Sequence, residues 1–298
     1  MTQQAVTPDI AFGPSQHISE TRRFLKVFLK RGLVVFGLVI LFIFVITAIA
    51  GPLFAPYPPN TMNLEITLLL PSGDHLLGTD YLGRDTLSRL IYGARMSLMV
   101  GVVALGIAAV IGIIAGMLAG FYGSWVNAII MRIVDALMAF PMLLLALILA
   151  GLLGGGLKNV MIAIGIALIP AYARLMCGQV LSIRENDYVL AGKSMGSGNW
   201  RIMFRHIMPN SFPPLIVLVT MQIGGAILAE AALSYLGIGI TAPTASWGSM
   251  VNDGFQYLLT NPLLSFVPGL AIMLVVFAFN MVGDGLRDAL DPRLRGTL

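Results

Sequence analysis

The strongest nucleotide-binding signal in this chain is Gly192-Lys193-Ser194. A phosphate-wrapping loop can end this way, but it also needs a glycine where this chain has Asp187, so that bare backbone amides face the phosphates. A carboxylate at that position would repel phosphate, and no buried strand precedes it, so a nucleotide site is not expected here. His17, His75 and His206 are far apart in the sequence. Cys177 is the single cysteine, which excludes an internal disulfide and a cysteine-rich metal cluster, and it sits in an apolar run as an inert thiol. No catalytic residues and no metal ligands are expected. Two acids do stand inside apolar segments. Asp135 lies one helical turn from Arg132, which would neutralise it, and Glu230 has no charged neighbour in its run. An ionisable group within a membrane helix is costly, so each is either a packed, hydrogen-bonded carboxyl or part of a substrate path.

The elements that hold these residues follow from composition. Of the 298 residues, 57% are hydrophobic and 11% charged, against about 25% charged in soluble domains. Lipid is therefore the solvent, and the fold class is an all-α integral membrane protein. Residues 1–32 read as a polar tail ending in a basic amphipathic segment, where Arg22, Arg23, Lys26, Lys30 and Arg31 alternate with Phe24, Leu25, Val27, Phe28 and Leu29. That pattern suits an anionic membrane surface, or it is simply the charged flank of the next span. Residues 33–51 form the first span, an uncleaved anchor, because its apolar run is longer than a signal peptide's. Residues 52–96 form an outer loop opening with Ala55-Pro56-Tyr57-Pro58-Pro59 and carrying Asp80, Arg84, Asp85, Arg89 and Arg95. This mixed charge is either a salt-bridged cap on the bundle or a docking surface.

Residues 97–283 hold five more spans. The second, Leu98–Ala119, carries Gly112, Gly116 and Gly120 on one face, where a neighbouring helix can approach closely. The third, Val126–Ala150, should kink at Pro141, and the fourth, Asn159–Cys177, should bend at Pro170. Ser211–Tyr235 and Leu263–Val282 complete the set, and residues 284–298 form a charged tail. The positive-inside pattern places both termini in the cytoplasm. Basic residues follow the membrane ends, so the charge is not a nucleic-acid footprint.

Between the fourth and fifth spans lies a polar island, residues 185–210. It reads as two short helices joined at Gly196-Ser197-Gly198, where glycine permits a bend. Asp187 would cap the first helix and Asn199 the second, with Trp200, Met203 and Phe204 facing water. Pro209, Pro213 and Pro214 would end the second helix before the fifth span. An exposed aromatic patch on a polar segment seeks a partner or the lipid surface.

This island resembles the EAA loop of ABC importer permeases. Leu190, Ala191 and Gly192 stand at the EAA triplet, where Ala191 matches, Gly196 matches the family glycine, and Pro209 matches the end of the later Ile-x-Leu-Pro, whose first position is His206. Leu76–Leu98, Phe279–Leu294 and Ala231–Val251 are similar to the dipeptide/oligopeptide/nickel branch of these permeases, on the DppC/OppC side of the pair. The resemblance implies six transmembrane helices of the type I importer kind and a coupling helix between spans 4 and 5. It implies a bacterial or archaeal inner-membrane location, a homologous permease partner, two ATPase subunits that carry ATP and Mg, and an extracytoplasmic solute-binding protein. The chain would bind no cofactor and would not be an enzyme. Its ATPase-coupling residues would be Tyr188, Ala191, Gly192, Gly196, Trp200, Phe204, His206 and Pro209, with Asp135 and Glu230 on the substrate path. The cargo would be di- or oligopeptides, with nickel chelates or glutathione as alternatives in the same family. An ion-coupled secondary transporter would show more paired intramembrane charges and internal repeats, and a membrane enzyme would show catalytic groups clustered at one depth.

Overall fold

The computed structural model describes residues 20–290, and those residues are almost wholly helical. The expected polar tail before residue 20, with His17, and the last eight residues lie outside the described residues. The basic segment forms α1 (Glu20–Lys30), and after a one-residue break α2 (Gly32–Phe54) is the first apolar helix long enough to cross a membrane. The outer loop then folds back through a single 3-10 turn at Leu64–Ile66. α3 (Thr86–Tyr122) begins earlier than its apolar run, because Asp85 caps it by accepting from the Ser88 amide at 2.7 Å.

The third span is broken, not kinked. α4 (Ser124–Met138) and α5 (Met142–Leu153) meet at 91°. Pro141 has no amide to donate, and it pushes the residue before it out of the helical region. It stands as the extended N-cap of α5 (ψ 131°). α6 (Gly156–Ile183) absorbs Pro170 within an unbroken helix. After the island come α9 (Met208–Tyr235), a short α10 (Trp247–Phe255) and α11 (Leu263–Leu290). Residues 284–290, expected as tail, are the last two turns of α11.

The bundle is centred on α3 against α6. The small-residue stripe of α3 is what permits their contact: a β-carbon at Gly116 would lie 2.3 Å from the Ala173 carbonyl oxygen and 2.9 Å from Met176 Cβ. Ala104, Ala108, Ile164, Tyr172, Met176 and Val180 fill the core around this seam. α9 and α11 close the other side, joined by Phe44, Ile227, Trp247 and Phe279. Large apolar side chains such as Phe42, Leu152, Phe266 and Phe277 point outward, as expected where lipid or other spans surround the bundle. Among the described residues, five helices are long and apolar enough to cross a membrane, and the α4–α5 pair makes a sixth crossing if taken together.

Candidate functional site

At one end of the bundle the polar island folds into α7 (Asp187–Ser194), α8 (Asn199–Ile202), a π turn (Met203–Ile207) and then α9. α7 ends because Gly196 adopts φ +78°, a left-handed conformation that disfavours a side chain even though nothing lies within 4 Å of a β-carbon built there. The last carbonyls of α7 are satisfied by the turn itself: Ser197 N–H donates to Gly192 O at 3.0 Å and Gly196 N–H to Lys193 O at 2.9 Å. The bend is where the sequence placed it, but both caps differ. Asn186 and Gly198 are the N-caps, and neither makes a side-chain cap bond. Asp187 is the first helical residue of α7, where its charge still favours the helix dipole, and Asn199 is the first residue of α8.

The island has two faces. Val189, Ile202, Met203 and Ile207 are fully buried in the core, beside Val180. Trp200 and Phe204 stack on the outer face with ring centroids 5.4 Å apart and planes 10° apart, and they are 66% and 47% exposed. Tyr188, Leu190 and Met195 are exposed with them. Met203, expected on this outer face, turns inward. The helix does not stop at the prolines either. It passes through the π turn, where Met208 N–H donates to Met203 O, and continues through Pro209, Pro213 and Pro214. Two side chains bond back to the backbone in this stretch: Ser211 Oγ donates to Ile207 O at 3.0 Å and Asn210 Nδ2 to His206 O at 2.6 Å. His206 lies beside Tyr188, ring centroids 6.4 Å apart.

The island is seated on the neighbouring turn by two cations. Arg184 Nη1 donates to Gly120 O at 2.9 Å, capping the end of α3, and Lys193 Nζ lies 5.7 Å from the Phe121 ring centroid. Gly192-Lys193-Ser194 thus belongs to a helix, not to a phosphate loop. Residues 192–196 also spell Gly-x-Ser-x-Gly, a pattern that in hydrolases needs a strand-to-helix turn. Here Ser194 closes α7 and its hydroxyl donates to Leu190 O at 3.1 Å.

The two acids within the spans have different surroundings. Asp135 does not pair with Arg132. It pairs with Arg174 of α6, and both side chains are more than half exposed. Glu230 is wholly buried. Ser234 Oγ donates to its Oε1 at 2.7 Å and accepts from Ile240 N–H at 2.9 Å, which ties α9 to the loop that follows it, while Oε2 has no partner.

The opposite end is a buried ion network. Asp80 Oδ1 accepts from the Leu82 and Arg84 amides at 2.9 Å, and Oδ2 pairs with Arg84 Nε at 2.6 Å. Arg89 Nε is 3.6 Å from the same Oδ2, and its Nη1 donates to Pro59 O at 3.1 Å. Asp253 of α10 approaches Arg84 at 3.6 Å. Burial pushes the Asp253 carboxyl above the usual range, with Arg84 and Arg89 opposing that shift. His75 Nδ1 meets Asp85 Oδ1 at 2.9 Å. Trp247 Nε1 donates to Leu90 O at 2.8 Å, and its ring fills the space beside Gly93. The mixed charge of the outer loop therefore builds a cap on the bundle. Arg95 is exposed and outside this network, whereas Asp253 and His75 belong to it and carried no sequence signal beyond their residue types.

Residues 112–296 match the family described as binding-protein-dependent transport system inner membrane component, and residues 19–71 match the N-terminal TM domain of oligopeptide transport permease C. The dipeptide transport system permease protein DppC of Alkalihalophilus pseudofirmus is 44% identical over 93% of this chain and 91% of its own length. The oligopeptide transport system permease protein OppC of Bacillus subtilis is 43% identical over 90% of this chain and 88% of its own. The nickel transport system permease protein NikC of Escherichia coli K12 is 42% identical over 87% and 93%. A helical bundle with five or six apolar crossings, matched by one family from the middle of α3 to the C-terminal residues, leaves one assignment: the chain belongs to the binding-protein-dependent transport system inner membrane components, as a multi-pass permease subunit of an ABC importer and not an enzyme.

Proposed function

We propose that this permease carries di- or oligopeptides across a bacterial inner membrane, pairing with a homologous permease, two ATPase subunits and an extracytoplasmic solute-binding protein. The observation that supports the coupling is the stacked, exposed Trp200–Phe204 pair, mounted on a helix continuous with α9. Tyr188, Ala191, Gly192, Gly196, Trp200, Phe204, His206 and Pro209 form the ATPase-facing element, which lies on the cytoplasmic side with both termini. ATP and Mg reside on the partner subunits. Closure of the ATPase dimer moves the island, and α9 carries that motion to the spans.

Asp135, paired with Arg174 on an open face, lines the path between the two permeases, because exposed intramembrane charge is tolerated against protein or water and not against acyl chains. Glu230 is sealed within this chain and acts there by holding the loop after α9. The peptide reading follows the dipeptide and oligopeptide relatives. Nickel chelates and glutathione are the alternatives, since permeases named for them are about equally similar.

The test is uptake into vesicles holding the complete transporter, comparing labelled dipeptide, nickel chelate and glutathione, with and without an inactivated ATPase. ATP-dependent uptake of dipeptide alone is expected. Uptake that persists with the ATPase inactive would overturn the coupling, and exclusive uptake of another cargo would overturn the peptide assignment.

A further inference from the structure

Of the features that the proposed function leaves unused, α1 carries the most. Along Phe24–Lys30 the residues fall into three adjacent lines, each an i,i+4 pair. Phe24 and Phe28 make the first, with rings stacked 5.7 Å apart. Leu25 and Leu29 make the second, 49% and 47% exposed. Lys26 and Lys30 make the third, also exposed. The first line is used within the chain. A β-carbon at Gly285 of α11 would lie 3.2 Å from Phe28 Cε2, and Arg31 Nη1 is 2.6 Å from Asp288 Oδ2. The other two lines face outward, apolar beside cationic.

Position decides what covers them. A single residue, Arg31, separates α1 from α2, which is apolar from its start. α1 is therefore fixed where a membrane helix emerges from the bilayer. A helix at that level with an apolar line next to a lysine line fits the boundary between acyl chains and anionic headgroups.

We propose that α1 is an anionic-phospholipid site: Leu25 and Leu29 enter the acyl layer beside α2, Lys26 and Lys30 hold headgroup phosphates, and the Phe28 and Arg31 contacts pass that grip to the end of α11. α11 packs on α9 through Gly283 against Met221, so the lipid surface steadies the helix that continues from the island.

The experiment places a nitroxide at Leu29→Cys, in a Cys177→Ser background, in the complete transporter reconstituted in phosphatidylcholine with or without phosphatidylglycerol. With the anionic lipid the label should be shielded from a water-soluble relaxing agent and open to oxygen. Lys26→Gln and Lys30→Gln should each lower the ratio of shielded to open label roughly five-fold. Amide exchange over 281–290 should slow with phosphatidylglycerol in the wild type and not in the double variant. A label equally open in both lipids would overturn the proposal. So would a label shielded equally in both, which would mean that a protein neighbour covers α1. Unchanged exchange at the end of α11 would remove the link to it. None of these readouts needs transport, so they stand apart from the fate of the peptide reading.

Discussion

The two ends of this bundle solve the problem of polar residues in opposite ways. At the end formed by the outer loop and α10, Asp80, Arg84, Asp85 and Arg89 are buried and bonded to one another and to backbone. At the island end the charges are exposed, Trp200 and Phe204 stand in the open, and both helix caps lack side-chain bonds. The first end pairs its charges within one chain, although Arg84 Nη1 and Nη2 and Thr86 Oγ1 are buried without a hydrogen-bond partner. The second satisfies its inner face through Val189, Ile202 and Ile207 and leaves its outer face for something else. The lesson is that polarity alone does not mark the surface that meets a partner. The charged loop turned inward, and on the island it is the aromatic pair that stands exposed.

Five substitutions sharpen or break this contrast. Asp80→Ala removes the carboxylate shared by Arg84 and Arg89 and leaves two buried guanidiniums short of a counter-charge, a loss of about 3–5 kcal/mol. The expected outcome is a sharp drop in folded yield and melting temperature in detergent, and a normal melt would mean the network is ornamental. Second, the same small change at each end should give different results. Gly93→Ala drives a β-carbon to 2.6 Å from Trp247 Cδ1, and that ring is pinned by its bond to Leu90 O, so about 1–3 kcal/mol should be lost. Gly198→Ala meets nothing within 4 Å and should lower melting less, by no more than the cost of alanine at a helix N-cap.

Third, Trp200→Ala should move stability by less than about 0.5 kcal/mol yet lower ATP-driven uptake by about ten-fold or more, as loss of a central interface aromatic does. Equal loss of melting temperature and uptake would show that Trp200 is structural. The smallest effect concerns Asp253. Its folded-state pKa is raised by burial, so the proton it retains favours the folded state below the ordinary aspartate range, and that contribution is lost as pH rises through the raised value. Asp253→Asn should therefore raise the melting temperature slightly at neutral pH and have no such effect in acid. A fall at neutral pH would show that the Arg84 attraction outweighs burial.

Hydropathy was enough to find the spans, because each long helix carries its own solvent preference. It did not reveal the break at Pro141, since a proline alone does not say whether neighbours hold the helix together, as they do at Pro170. The island's bend was legible from Gly196, whose conformation is a local matter. Its outer face was partly legible: Trp200 and Phe204 follow simple helical spacing, but the π turn and the core beneath it draw Met203 inward. The partner of Asp135 and the second carboxylate near Arg84 were not legible. Arg174 and Asp253 reach them across helix contacts that no local pattern encodes.

One continuous helical path runs from Asn199 to Tyr235, 37 residues in all. Trp200 and Glu230 are thirty positions apart on it, about 45 Å at 1.5 Å per residue. Over that lever arm a tilt of about 5° at the aromatic end displaces the carboxylate end by about 4 Å. Glu230 and Ser234 would move together, but the 2.9 Å bond from Ile240 N–H to Ser234 Oγ crosses to the loop and would part unless the loop followed. The tie between α9 and the loop after it therefore sits at the end of the arm, where a change of helix angle at the aromatic end would move it furthest.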